Sequence, residues 1–175
     1  MTSVKAIAEW LSTGYAMNKI DESQLEDALI VLMKGLPYSG KSTAILDLMK
    51  NDTDGVWHSA CVVSPDAIRV AMHGQRFLPR AEPLVWATAR IMARALVLAG
   101  HRVIFIDATS ITYADRREWS LYGDNWNVQV WEIKTPMDIC TVRAKSAGDM
   151  DIIPIIDKMD LKMQGLREHE KSFNP

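Results

Sequence analysis

Residues 35 to 42 read Gly-Leu-Pro-Tyr-Ser-Gly-Lys-Ser, the G-x-x-x-x-G-K-S spacing of a loop built to hold phosphate. Successive backbone N–H groups in such a loop form a concave donor surface, and the helix that follows adds the positive end of its dipole. The glycines admit backbone angles and close approaches that a side chain blocks. Lys41 is placed to reach β- and γ-phosphates, and Ser42 to ligate Mg²⁺ through its hydroxyl. Gly35, Ser39, Gly40 and Thr43 complete the cradle, and a nucleoside triphosphate with Mg²⁺ is the expected occupant.

Two carboxylates stand where such a loop needs them. Asp107 closes the apolar stretch Val103-Ile104-Phe105-Ile106, which puts an oxygen donor for Mg²⁺ at a neighbouring strand end; a cap for the next segment is the alternative. Asp66 follows the run Cys61-Val62-Val63 and lies in the first turn of a helical stretch, at the sheet edge where ligands of open α/β folds bind. A carboxylate there accepts the proton of a hydroxyl as its oxygen attacks phosphorus, or it caps its helix. Spacing alone leaves both roles open. Arg69, one turn on along the same face, is placed to hold an anionic group of the acceptor.

Alternating strands and helices are needed to bring these residues together, and from Ala28 the sequence supplies them. Strands are predicted over 28–34, 60–63, 102–107 and 128–133, with helices over 41–50, from near 66, over 82–99, 113–122, 137–146 and 155–169. Apolar strands alternating with helices indicate a mostly parallel sheet covered on both faces, a three-layer α/β/α sandwich. Residues 1–27 read as a helical extension in which Val4, Ile7, Ala8 and Leu11 share a face, and residues 28–175 as one domain.

Hydrophobic residues make up 48% and charged residues 24% of the 175 positions, the balance of a globular chain long enough for one core without staples. No apolar run approaches the roughly 18 residues that span a bilayer, and the N-terminus lacks the zones of a signal peptide, so a cytoplasmic location is expected. Cys61 and Cys140 are far apart, with no partner at ligand spacing; they read as buried thiols rather than a disulfide or zinc site. Trp10, Trp57, Trp119, Trp126, Trp131 and the ten methionines read as core and gap-filling residues. The net charge of −2 hides an asymmetry: Arg69, Arg76, Arg80, Arg90, Arg94 and Arg102 face only Glu82 in their stretch, while acids gather at 21–27.

The ordered set of motifs resembles the P-loop kinases of the phage polynucleotide 5′-kinase type. "GLPYSGKST" is similar to that family's loop, "SPDAIR" to its D-x-x-R, "IDATSIT" to its D-x-T-N strand end, and "VRAKSAGDMDIIPIIDKM" to its arginine lid and proline-led helix, over about residues 29 to 170. The resemblance implies that residues 28–175 form a P-loop kinase domain. It further implies that Asp66 activates the acceptor hydroxyl, that Arg69 binds a nucleic-acid phosphate and that Arg143 clamps the phosphates of ATP. Ser110 stands where the family usually has Asn, and Ala147 where a second lid arginine is common. Charge stabilisation then rests on Lys41, Arg143, Lys145 and Mg²⁺. In its compactness, with no region for the phosphatase domain of some polynucleotide kinases, the chain is also similar to the phage kinases that phosphorylate 5-hydroxymethyluracil in DNA.

Nucleic acid, DNA rather than RNA, is the expected acceptor. The 82–99 helix puts Val85, Thr88, Ala89, Met92, Ala95, Leu96 and Ala99 on one apolar face, with Trp86, Arg90 and Arg94 on the other. Such a pairing of aromatic and arginines stacks a base and neutralises phosphates; the alternative is a packed Trp86 beside solvated arginines. Arg76 and Arg80, with His73 and Gln75, lie in "HGQRFLPRAEP", a stretch placed to contact an acceptor strand through its phosphates. The rival readings are a small-molecule kinase of the same fold and a nucleotide-gated binding module without turnover.

Overall fold

The first strand, β1 (Ala28–Lys34), is buried at its first six positions. Its side chains alternate between two cores: Leu29, Val31 and Met33 enter one, and Ile30 and Leu32 the other. A strand apolar on both faces belongs at the centre of a sheet covered on both sides. The computed structural model describes residues 28–173 apart from 54, 56, 58, 111 and 122–125, and in it β1 is such a strand. It pairs in parallel with β3 (Val103–Ile106) on one side and β4 (Trp126–Glu132) on the other, and β2 (Cys61–Val63) pairs in parallel with β3. The order is β2-β3-β1-β4.

Helices α1 (Lys41–Lys50), α2 (Pro65–His73), α3 (Glu82–Leu98), α4 (Tyr113–Leu121), α5 (Met137–Ser146) and α6 (Ile153–Phe173) connect and cover these strands. On one face, Ala44, Ile45 and Leu48 of α1 pack on a core that holds Trp57, Phe105 and Trp131. These three rings meet with centroids 5.6–5.7 Å apart, in tilted or edge-on geometry, the arrangement that aromatic quadrupoles favour. On the other face, Ile68 of α2, Val85, Ala89 and Ala93 of α3 and Trp119 of α4 close the second core. The three-layer sandwich expected from the sequence is the fold observed.

Details differ at several points. The buried stripe of α3 is Val85, Ala89 and Ala93, whereas Met92, Ala95 and Ala99 are exposed. Trp86, expected on the opposite face, packs against the core, because its ring is the largest apolar surface the helix offers. Cys140 is buried, but Cys61 is only half-buried, since β2 is an edge strand. Met33 and Met163 fill the interior, while Met72, Met92, Met137 and Met150 are exposed. Helix α6 begins at Ile153, with Pro154 in its first turn, where no intrahelical donor is lost. The helical extension over 1–27, Trp10 and the early acidic run lie outside the described residues, and among those described no helix is long and apolar enough to cross a membrane.

Phe105 is fully buried and Leu98 is 76% exposed. Phe105→Ala is expected to lower the unfolding free energy by about 3–5 kcal/mol, and Leu98→Ala by less than about 0.5 kcal/mol. Urea denaturation of the two variants checks this; similar losses from both would contradict the placement of the core.

Candidate functional site

The register of the sheet brings the carboxyl ends of three strands to one edge. Leu32 stands opposite Ile106, and Ile106 opposite Val63, so the segments that leave β1, β3 and β2 emerge side by side. They carry residues 35–42, Asp107 and Asp66.

Gly35 stands at φ 153°, and a Cβ there would lie 2.8 Å from the Ile133 carbonyl oxygen and 2.9 Å from Ser39 Oγ; no other residue fits. Gly40, at φ 101°, is the N-cap of α1 and provides no capping side chain, and no acidic residue occupies the first turn. The positive end of the helix therefore faces the loop with no carboxylate of its own first turn against it. Lys41 is buried and curls back across the loop, where Nζ donates to the carbonyls of Gly35 at 3.1 Å and Leu36 at 2.7 Å. Burial pushes its ammonium below the usual lysine range, opposed by the charges of Asp107 and Asp66. Ser39 Oγ is buried without a hydrogen-bond partner among the described residues.

Arg143 of α5 holds the loop from the other side, its Nη1 donating to the carbonyls of Tyr38 at 3.1 Å and Ser39 at 3.2 Å. Thr135 Oγ1 donates to the same Ser39 carbonyl at 2.7 Å. A cradle that a Cβ would fill, a buried ammonium and an orphaned hydroxyl together fit a polyphosphate. Ser42 Oγ donates to Asp107 Oδ2 at 2.6 Å, two hard oxygens side by side of the kind Mg²⁺ takes from protein while phosphates and water complete its shell. Thr43 is exposed on the first turn of α1.

Neither carboxylate serves as a helix cap. Ser64 caps α2, its Oγ accepting from Ala67 N at 3.3 Å, with Pro65 at the first helical position. Thr112 and Asp115 cap α4 reciprocally. Asp66 is left with its side chain 78% exposed and, among the described residues, one bond, from Arg69 Nη1 at 2.5 Å.

Two further donors of Arg69 go to Glu82, to which Nε and Nη2 donate at 2.7 and 2.6 Å, and its guanidinium carbon lies 5.9 Å from the Trp86 ring centroid. Glu82 thereby raises the Arg69 guanidinium further, and Arg69 holds the Glu82 carboxyl below its ordinary range. In this state Arg69 bridges two carboxylates. Glu82 was not foreseen as part of the site, although it is the lone acid in an arginine-rich stretch and the first residue of α3.

The other residues expected on the acceptor side are dispersed. Arg76 is 60% exposed and lies 2.7 Å from the Asp149 carboxylate. Arg80 is exposed in the turn before α3. Arg90 donates to Glu118 of α4 at 2.7 Å, and Arg94 is exposed. His73 ends α2 with both ring nitrogens buried and without partners among the described residues. Ser110 is buried at φ 41°, and Thr109 beside it accepts from Gly35 N at 3.3 Å, which ties this strand end to the loop.

Comparison with known proteins agrees with this geometry. A search of curated protein sequences returned no match. Among solved structures, the chain is similar to one in the Pnkp1/Rnl/Hen1 RNA repair complex, with a TM-score of 0.68 and 16% identity over 82% of this chain and 46% of that one. It thus spans less than half of that relative's length. It is also similar to the APS kinase CysC of Mycobacterium tuberculosis, solved with AMPPNP and APS, with a TM-score of 0.53 and 22% identity over 67% of this chain and 69% of that one. At these identities the likeness is one of fold. The family model of the AAA domain matches residues 30–148, from β1 through the loop, both strand-end carboxylates and Arg143; the chain belongs to this AAA-domain family and has the P-loop kinase fold.

Proposed function

We propose that this protein is an ATP- and Mg²⁺-dependent kinase that transfers the γ-phosphate to a hydroxyl of a nucleic acid, DNA rather than RNA. The hydroxyl is either a 5′ end or the hydroxymethyl group of 5-hydroxymethyluracil, the phage DNA modification. The observation that carries the reading is the convergence on one sheet edge of a phosphate cradle, the Ser42–Asp107 oxygen pair and an exposed Asp66 free of capping duty. The charges of both Asp107 and Asp66 act on Lys41, which supports a reading in which nucleotide and acceptor meet at one ammonium.

In this reading Asp66 takes the proton of the acceptor hydroxyl. Its oxygen forms the new bond to the γ-phosphorus, the bond from that phosphorus to the bridging oxygen breaks, and ADP leaves with the electron pair. Lys41, the loop amides and Arg143 receive the charge that shifts to the phosphate oxygens. Mg²⁺ held at Ser42 and Asp107 would neutralise the β- and γ-phosphate oxygens. Arg69 orients the Asp66 carboxylate, Arg80 and Arg94 supply exposed positive charge for an acceptor backbone, and Arg76 reaches that backbone from its pair with Asp149.

A small-molecule acceptor is the second reading. Its support is the neutralisation of Arg69 and Arg90 by Glu82 and Glu118, which takes two cations away from a phosphate-tracking surface. Salt separates the two: a protein that neutralises several phosphates loses affinity steeply as salt rises, and a small acceptor gives no salt-dependent DNA binding at all.

Asp66→Asn is expected to slow transfer by about 10²–10⁴-fold with ATP affinity within about twofold, whereas Lys41→Ala loses both; wild-type turnover in the first variant would remove Asp66 as the base. The acceptor is read by transfer of labelled γ-phosphate to three matched DNAs, one with a free 5′-OH, one with that end blocked, and one blocked but carrying 5-hydroxymethyluracil. Label on either the first or the third is expected. No label on any of them, with ATP still bound, would overturn the DNA reading.

A further inference from the structure

Helix α5 ends in a tight closure. Gly148 stands at φ 73°, its N–H donates to the Lys145 carbonyl, and the N–H of Asp149 donates to that of Ala144, both at 3.0 Å. This pair of bonds is a Schellman closure, and the left-handed residue at its centre is the natural place for glycine. The closure fixes the backbone from which the Asp149 side chain departs.

That carboxylate, 13% exposed, gathers two other segments. Tyr38 Oη donates to it at 2.8 Å, and Arg76 Nη1 lies 2.7 Å away. Tyr38 belongs to the nucleotide loop and stands at φ 61°, an unfavourable region for a residue with a side chain. Its ring packs against the cluster of Leu36, Cys140, Ala144 and Ile152, and its carbonyl is held by Arg143. Arg76 belongs to residues 74–78, between α2 and the turn before α3. An exposed arginine paired with a mobile carboxylate contributes little, but here the carboxylate is anchored by the closure and by Tyr38 before Arg76 arrives.

We infer that Asp149 is a positioning residue that couples residues 74–78, on the acceptor side, to the nucleotide loop. Phosphate binding to the loop amides restricts residues 35–42 and with them Tyr38; Tyr38 steadies Asp149, and Asp149 holds Arg76. A segment already ordered by one ligand costs the next ligand less to bind, so nucleotide and acceptor favour each other's binding. The inference rests on the reading of residues 35–42 as an ATP site and needs no particular acceptor.

Amide hydrogen exchange of the full chain tests it, with a non-hydrolysable ATP analogue as the probe and Asp149→Asn and Arg76→Ala as variants. Asn keeps the size of the side chain and an oxygen for Tyr38 but loses the charge that holds Arg76. In the wild type the analogue is expected to slow exchange over 35–43 and, several-fold, over 74–78; both variants keep the first effect and lose the second. Slowing over 74–78 that persists in Asp149→Asn, or that is missing in the wild type while 35–43 is protected, overturns the coupling. If 35–43 gains no protection, the ATP reading fails instead. The nucleotide-free comparison then decides: faster exchange over 74–78 in Asp149→Asn than in the wild type supports the clasp, and equal exchange overturns it.

Discussion

Because β1 is bonded in parallel to β3 on one side and to β4 on the other, it cannot slide along either neighbour. A slip of one residue would send Leu29, Val31 and Met33 to the face now filled by Ile30 and Leu32 and exchange the contents of two cores. The register that prevents this also sets Leu32 level with Ile106, and Ile106 level with Val63. The polar residues that follow each strand therefore arrive together. Hydrophobic packing far from the site thus determines how near Asp107 comes to Ser42.

At that edge the protein handles charge in two ways. On the loop side α1 starts with no acidic residue of its own, and the Lys41 ammonium is buried against backbone carbonyls, with no carboxylate ion-paired to it among the described residues. Burial of that charge is costly; the charges of Asp107 and Asp66 oppose part of the cost, and an anionic ligand offsets more of it. Around Asp66, by contrast, two cations are already matched, Arg69 by Glu82 and Asp66 and Arg90 by Glu118. The guanidinium of Arg69 is thereby a fixed structural part, lodged beside Trp86.

The nucleotide half of this arrangement was legible in the sequence because its requirements are local. Gly35, Gly40, Lys41 and Ser42 sit within one turn, and the strands around them are apolar enough to be read as buried. The acceptor half depends on pairs distant in sequence. Glu82 lies 13 positions from Arg69, and Asp149 lies 73 from Arg76 and 111 from Tyr38; no periodicity links such residues. The face of α3 was misjudged for a related reason, since small residues at 85, 89 and 93 yield a stripe whose direction is settled by what packs against it. Tyr38 at positive φ is a further feature that residue type disfavours and tertiary contacts impose.

The division of labour at the start of α2 has its own consequence. Ser64, a neutral hydroxyl, secures the first turn of the helix, and Asp66 two positions later is not needed for that task. Were the aspartate the cap, a substitution at position 66 that removed the acceptor oxygen would strip a partner from the backbone amides and loosen the first turn of the helix. With the cap assigned to Ser64, the Asp66 side chain stands free of the backbone that carries it, and an exchange at position 66 leaves the start of α2 in place.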